Sequence, residues 1–241
     1  MKQYLYGRNP VKERLSQKKV IHTLYIQKGS DTANIENLAR EQNIPVVMLD
    51  KGQVKALVGD ANHQGVIAHI PNYAFSSLNT VLEDVKDKEH SCIIVADGLE
   101  DPHNLGAILR IADGAGVDAV IFGKHRSVSL TSTVAKVSAG AIESVKIIEV
   151  VNISQTLRTL KDAGFWIYGT EVSNAIDYTK ASLKGKVVIV VGSEGQGMSS
   201  LVKKQCDVLL SIPMHGHVDS LNVSVACGIL VYEVLRQRSK G

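Results

Sequence analysis

Residues 92–122 read CIIVADGLEDPHNLGAILRIADGAGVDAVIF, and this stretch decides the fold class. The run CIIVAD (92–97) has no polar residue alternating with its apolar ones, which predicts a strand buried on both faces. A loop containing Gly98 and Pro102 follows, then a helix over 104–115, then a second short apolar run, AVIF (119–122). Strand, helix and strand in this order form the repeating unit of a parallel sheet.

The same alternation continues on both sides. Toward the C-terminus, VKIIEV (145–150), WIYGT (166–170), VVIVVG (187–192) and VLLSIP (208–213) are expected strands, with helices near 131–139, 153–163, 197–204 and 222–238. Toward the N-terminus, VIHTLYI (20–26), PVVMLD (45–50) and GVIAHI (65–70) are expected strands in a mainly parallel or mixed sheet. Helices are expected at 31–42, with Ile35, Leu38 and Ala39 on one face, and at 53–57. PNYAFSS (71–77) interrupts the pattern, and LNTVLEDVKDKEH after it has helical spacing. The expected organisation is therefore a small α/β unit over 1–70, a linker and leading helix over 71–91, and a larger α/β unit over 92–241.

Composition excludes several classes. With 44% hydrophobic and 21% charged residues in 241, the chain can bury a core and is neither disordered nor fibrous. No apolar run reaches the roughly 18 residues of a membrane span, and the best candidate, 221–235, contains Glu233. The first fifteen residues lack the apolar stretch of a signal peptide. Cys92, Cys206 and Cys227 are far apart with no CxxC pair, so neither a disulfide framework nor a structural zinc is expected, and the cytoplasm is the expected compartment.

Net charge is +3, unevenly spread. Residues 1–70 hold ten Lys/Arg against six Asp/Glu, or +4, and residues 71–241 hold seventeen against eighteen, or −1. Near the start, Lys2, Arg8, Lys12, Arg14, Lys18 and Lys19 face only Glu13. That cluster reads equally as a phosphate-facing patch or as one face of a solvated helix.

Three polar, glycine-containing segments follow predicted strands, where open α/β sheets hold their ligands. In DGLEDPHNLGAILRIADGAG (97–116), Asn104 is a competent helix cap and Arg110 lies six residues further along the same helix. In VVIVVGSEGQGMSS (187–200), Gly192 and Gly197 have the spacing of a Walker A loop, but Met198 stands at the lysine position. The dinucleotide pattern fails too, because Ser200 stands where its third glycine would be, and Glu194 would repel phosphate. A carboxylate in the loop suits a hydroxyl-bearing or cationic ligand. In SIPMHGHVDSLNVSVACGILVYEVLRQR (211–238), Ser220, Asn222 and Ser224 gather at the start of a helix, favouring a polar or anionic ligand there. His215 and His217 lack a third ligand at metal spacing, so no metal is expected.

Together, D-G-x-x-D-P-x-N-x-G-A-I-x-R (97–110), G-S-E-G-x-G (192–197) and I-P-M…S-L-N-V-S-V-A (212–226) resemble the three signature motifs of the SpoU (TrmH) family, within the SPOUT superfamily. Those proteins are S-adenosylmethionine-dependent RNA 2′-O-ribose methyltransferases. The first seventy residues, with YGRNPV near their start, are similar to the ribosomal-protein-L30e-like RNA-binding domain of the ribosomal RNA guanosine methyltransferases in that family. The resemblance implies a C-terminal SPOUT α/β domain with a trefoil knot, preceded by the small L30e-like α/β domain. It implies a homodimer whose site draws on both subunits, acting without metal or membrane.

By motif position, Gly192, Ile212 and Leu221 would contact the cofactor, joined by Thr170 beside Glu171, by Gly197 and by Met214. Asn104, Arg110, Glu194, Ser220 and Asn222 would form the catalytic and ribose-binding set. Since arginine stays protonated, Arg110 would bind the neighbouring phosphate and stabilise the developing alkoxide, with Asn104 and Glu194 orienting it. The expected substrate is RNA, with a guanosine of large-subunit ribosomal RNA favoured over transfer RNA. A transfer RNA methyltransferase and a non-catalytic RNA-binding or ribosome-assembly protein on the same scaffold are the alternatives.

Overall fold

The computed structural model describes residues 3–124 and 129–239. In chain order the elements are β1 (Gln3–Tyr6), α1 (Arg8–Ser16), β2 (Thr23–Gln27), α2 (Ala33–Glu41), β3 (Val46–Leu49), α3 (Lys51–Val58), β4 (Val66–Ile70), α4 (Leu78–Val85), β5 (Ser91–Ala96), α5 (Pro102–Ala115) and β6 (Ala119–Gly123). They continue as α6 (Ser132–Val137), β7 (Ile147–Val150), α7 (Ile153–Asp162), β8 (Trp166–Thr170), β9 (Ile176–Asp177), β10 (Lys186–Val191), α8 (Ser200–Lys203), β11 (Val208–Ser211) and α9 (Val223–Arg238).

The chain forms two compact units. The first runs to Ala74 and takes in Leu130–Glu143, and the second holds Phe75–Ser129 and everything from Ser144 on. Periodicity assigned the helix near 131–139 to the larger domain, and this is corrected. α6 packs against β1 and α1, and Gln3 Nε2 donates to the Leu130 carbonyl at 3.3 Å. Burial of Arg14 against Glu143 explains the return of the chain. The two are 2.5 Å apart with side chains only 7% and 3% exposed, and Lys19 reaches the same carboxylate at 3.1 Å.

That ion pair also corrects the basic patch. Arg14 is buried and Lys19 is paired, so neither is free to face a phosphate, and Lys2 lies outside the described residues. α1 and β1 were not expected from periodicity at all. The buried side of α1 consists of Pro10, Val11, Arg14 and Leu15, too mixed a set to read as an apolar stripe.

The first sheet has the order β1-β4-β2-β3, with β4 antiparallel to both neighbours and β2 parallel to β3. The second has seven strands, all parallel, in the order β7-β6-β5-β10-β8-β11-β9. Its core joins Ile93, Val95, Ile121, Val188 and Val190 of the strands to Leu157 and Leu160 of α7 and Val81 of α4. Every residue of β5 is buried, which explains why CIIVAD shows no alternation.

The strand order matters more than the strand count. From β5 the chain moves outward through β6 to β7, then returns to the far side of β10 to lay down β8. The direction of winding therefore reverses between β5 and β10. The crevice beyond their C-terminal ends is the position where a doubly wound sheet binds its ligand.

Candidate active site

Two loops border that crevice. The register sets Ala96 of β5 beside Val191 of β10, so the loops starting at Asp97 and Gly192 leave the sheet side by side. They are tied together: the Ser199 N–H donates to Asp97 Oδ2 at 2.7 Å. Sequence reasoning treated Asp97 only as the end of a strand. Its position at the last residue of a buried apolar run was the available signal.

The loop after β10 closes on itself. Ser193 and Gly197 exchange backbone hydrogen bonds of 3.0 Å in both directions. A β-carbon on Gly192 would lie 2.1 Å from the Gly197 carbonyl carbon, so no larger residue fits there. Gly195 and Gly197 have φ of +84° and +66°, the left-handed region that favours glycine. Because this closure occupies 193–197, α8 starts only at Ser200, rather than at 197 as the spacing predicted.

α5 starts earlier than expected. Asp101 is its cap, accepting from the His103 N–H at 2.8 Å, and Pro102 takes the first helical position, where its missing N–H costs nothing. Asn104 is consequently not a cap. It sits in the first turn, 5% exposed, and its side chain is free to bond elsewhere. At the other segment, Asn222 rather than Ser220 caps α9. Its Oδ1 accepts from the N–H groups of Ser224 and Val225 at 3.0 and 3.3 Å and from the Ser224 hydroxyl at 2.6 Å.

Three side chains from three distant segments then meet. Asn222 Nδ2 donates to Asn104 Oδ1 at 2.9 Å and to Glu194 Oε1 at 2.6 Å, and Asn104 Nδ2 donates to the same Glu194 oxygen at 3.1 Å. Asn222 spends its acceptor on the helix and both donors on this triangle, so its identity is constrained at each end. Glu194 Oε2 has no hydrogen-bond partner among the described residues.

Beside the triangle lies a cavity of about 410 Å³ bordered by Asp97, Glu100, Asp101, Asn104 and Glu194, with Ile153 and Met198 as its apolar wall. Among the described residues no Lys, Arg or His lines it. A phosphate would meet four carboxylates there, whereas a cation or a hydroxyl would meet acceptors.

The other expected residues fall into two groups. Thr170, Gly192 and Ile212 stand at or just past the ends of β8, β10 and β11, with β8 between the other two, and Leu221 immediately precedes the cap Asn222. They share the strand-end edge of the sheet, and none of them, nor Met214, lines the cavity, which Gly197 does. Arg110 and Ser220 are not brought to the triangle. Both are exposed, and neither side chain has a hydrogen bond or ion pair among the described residues. Arg110 is six residues past Asn104, about 120° around α5 from it at 3.6 residues per turn.

Glu171 bonds the Val172 N–H at 3.0 Å and forms an ion pair with Lys203. Lys203 holds its carboxyl below the ordinary carboxylate range. His215 and His217 are exposed, and no group of metal-ligating side chains forms among the described residues. Burial pushes the Cys92 and Cys206 thiols up to about 12 and Cys227 higher, so none is a nucleophile at neutral pH.

The SpoU rRNA methylase family model matches residues 91–232, which covers all three loops. The chain belongs to the SpoU methylase family. A second family model, RNA 2′-O ribose methyltransferase substrate binding, matches residues 4–76. A Staphylococcus aureus protein assigned to the TrmH family of tRNA/rRNA methyltransferases is 47% identical over 238 residues, covering 97% of this chain and 96% of the relative. A Staphylococcus epidermidis relative assigned to the same family is 48% identical over 238 residues, covering 97% of this chain and 95% of its own.

Among solved structures, an RNA 2′-O ribose methyltransferase superposes with a TM-score of 0.81 at 27% identity, covering 99% of this chain and 89% of that one. The SpoU methyltransferase AviRb from Streptomyces viridochromogenes, solved with AdoMet, gives 0.82 at 20% identity, covering 100% and 91%, a likeness of fold. The SpoU fold thus supplies the parallel sheet, and this chain's loops supply the triangle.

Proposed function

We propose that this SpoU-family chain transfers the methyl group of S-adenosylmethionine to a ribose 2′-hydroxyl of RNA, with a guanosine of large-subunit ribosomal RNA as the favoured target. The observation that carries the reading is the Asn104–Glu194–Asn222 triangle at the winding reversal of the parallel sheet. A purely RNA-binding scaffold has no use for a carboxylate held beside an acid-lined cavity, since RNA is itself anionic.

The residues present fit the cofactor. Four carboxylates, with no basic side chain among the described residues lining the cavity, suit a sulfonium and an ammonium group, and Gly195 and Gly197 leave open space where side chains would stand. Bound there, the cofactor supplies an electrophilic methyl group and leaves no need for a metal. By motif position Gly192, Ile212, Leu221 and Thr170, which share the strand-end edge of the sheet outside the cavity, would supply its remaining contacts. In the finer reading the glycine loop after β10 and the segment 212–221 form a trefoil knot, as the likeness of the three motifs to the SpoU family implies.

Glu194 uses its free oxygen, Oε2, to orient the incoming ribose or a guanidinium. Arg110 serves a second copy of the chain: it is exposed, has no side-chain partner among the described residues, and is turned away from its own Asn104. The charge of a carboxylate-lined cavity suits an arginine from outside. The apolar residues Val225, Tyr232 and Leu235, exposed by 50%, 51% and 38% on α9, support a homodimer through that helix. Arg110 then binds the phosphate next to the target and stabilises the alkoxide as the 2′-proton departs to that phosphate or to water. The three free thiols accord with a cytoplasmic protein.

Methyl transfer from labelled S-adenosylmethionine to unmodified ribosomal and transfer RNA, followed by nucleoside mapping, tests this. Label recovered as a 2′-O-methylguanosine of ribosomal RNA is the expected result. Label in transfer RNA alone would reassign the substrate, cofactor binding without transfer to either would point to a missing substrate context such as an assembling ribosome, and no cofactor binding at all would favour the non-catalytic alternative.

A further inference from the structure

The first sheet presents a surface that the methyl-transfer reading leaves without a task. Its strand register sends Leu5, Leu24, Ile26, Ala68 and Ile70 to one face, each no more than 1% exposed, where α1 and α2 contribute Val11, Leu15 and Ala39. The opposite face holds Tyr4, Tyr6, Thr23, Tyr25 and His69, all partly exposed, around a buried Ile67. His22 stands exposed at the entry to β2, and its N–H donates to the His69 carbonyl at 2.8 Å. A sheet side that meets water is ordinarily polar. This one carries three tyrosines and a histidine and no Asp, Glu, Lys or Arg among the positions just named.

The rings are contiguous. The centroids of His22 and His69 are 4.9 Å apart, those of Tyr4 and His69 5.6 Å, and those of Tyr4 and Tyr25 6.4 Å. All three pairs are tilted or edge-on rather than stacked face to face. Basic residues belong to the same unit: Lys12, Lys18 and Lys28 are exposed, and residues 1–70 carry ten basic against six acidic side chains.

We propose that the Tyr4–His22–Tyr25–His69 face is a stacking platform for unpaired bases of the RNA substrate, a site within the proposed function rather than a separate one. A duplex hides its base faces inside the helix, whereas loops and single strands can splay bases onto aromatic side chains. The net positive charge complements the phosphate backbone that accompanies those bases. The match of residues 4–76 to an RNA substrate-binding family covers all four rings.

The test uses the full chain, a short fluorescein-labelled oligoadenylate, and an unlabelled RNA duplex of the same length as competitor. His22→Ala and Tyr4→Leu should each weaken single-strand affinity about 5- to 150-fold, the range for losing one stacked base. The slope of log affinity against log salt should stay as in the parent, since no phosphate contact is removed. Tyr4→Phe keeps the ring and should keep the affinity. His22 is exposed, so His22→Ala carries the test even if Tyr4→Leu unfolds in a thermal melt.

Unchanged affinity in a folded His22→Ala, Tyr4→Leu double variant would overturn the platform. So would Tyr4→Phe losing as much as Tyr4→Leu, or a duplex competing as well as a single strand. Methyl transfer to ribosomal RNA by the parent chain separates the two ideas. Transfer without any platform effect removes the platform alone, and a platform effect without transfer removes the functional reading alone.

Discussion

The two sheets of this molecule expose function in opposite ways. The seven-stranded sheet is parallel throughout, and its central strands β5 and β10 are almost wholly buried, so no face is left to bind anything. Chemistry moves to the strand ends, where the loops after β5 and β10 meet across the winding reversal. The four-stranded sheet has antiparallel pairs and fewer covering elements, and one of its faces remains partly exposed. A parallel sheet thus binds at its edge and a mixed one can bind across its face. The difference follows from what the crossover helices cover.

The largest effect should come from the edge site. Arg110→Ala is expected to reduce the methyl-transfer rate about 10²–10³-fold, the usual loss for a group stabilising developing charge, while leaving S-adenosylmethionine affinity near the parent value. Single-turnover kinetics with calorimetric binding would check this. A matching loss of cofactor affinity would mean that Arg110 holds the cofactor instead.

Next is the buried ion pair of the first unit. Glu143→Gln leaves Arg14 charged, buried and short of its partner, and should cost about 3–5 kcal/mol. Urea unfolding followed by circular dichroism reads it. If the midpoint hardly moves, Arg14 is satisfied by the Val20 carbonyl, which its Nε already reaches at 3.1 Å, and the pair does not hold 130–143 in place.

Asn222 discriminates between helix capping and the triangle. Asn222→Ala removes both and should cost about 1–2 kcal/mol in stability together with activity. Asn222→Asp keeps the cap acceptor but sets a carboxylate against Glu194 Oε1, so stability should largely return at neutral pH while activity does not. Recovery of both would show that the amide donors are dispensable.

The smallest effect should come from Glu171. Lys203 holds its carboxyl low, so the pair stabilises the fold above the unfolded carboxylate pKa of about 4.3 and loses that contribution as the pH falls through the folded value. Lys203 is 42% exposed, which limits the gain to about 0–1 kcal/mol. Stability of Lys203→Ala should therefore converge on the parent once the pH has fallen below the folded value. A gap that persists there would have to come from packing.

Much of the larger unit was legible in sequence because buried parallel strands announce themselves as unbroken apolar runs. β5, β6, β8, β10 and β11 all fall within their expected windows to a residue or two. The smaller unit was harder. β1 spans only four residues, and α1 lacks a clean period because Arg14 occupies a buried position, paired with a carboxylate 129 residues away. Likewise Asn104 looks like a cap in isolation, and Asp101 followed by Pro102 displaces it.

By itself the sequence determined the strand–helix alternation, the three polar segments after strands and the residue types that could act there, because these depend on neighbours within a few positions. Only the tertiary structure decided the strand order that sets β5 against β10, and with it the meeting of Asn104, Glu194 and Asn222. It alone assigned 130–143 to the first unit, and it alone left one sheet face partly exposed. Each of these depends on contacts between residues far apart in the chain, which no local pattern encodes and which packing and the pairing of buried polar groups must resolve together.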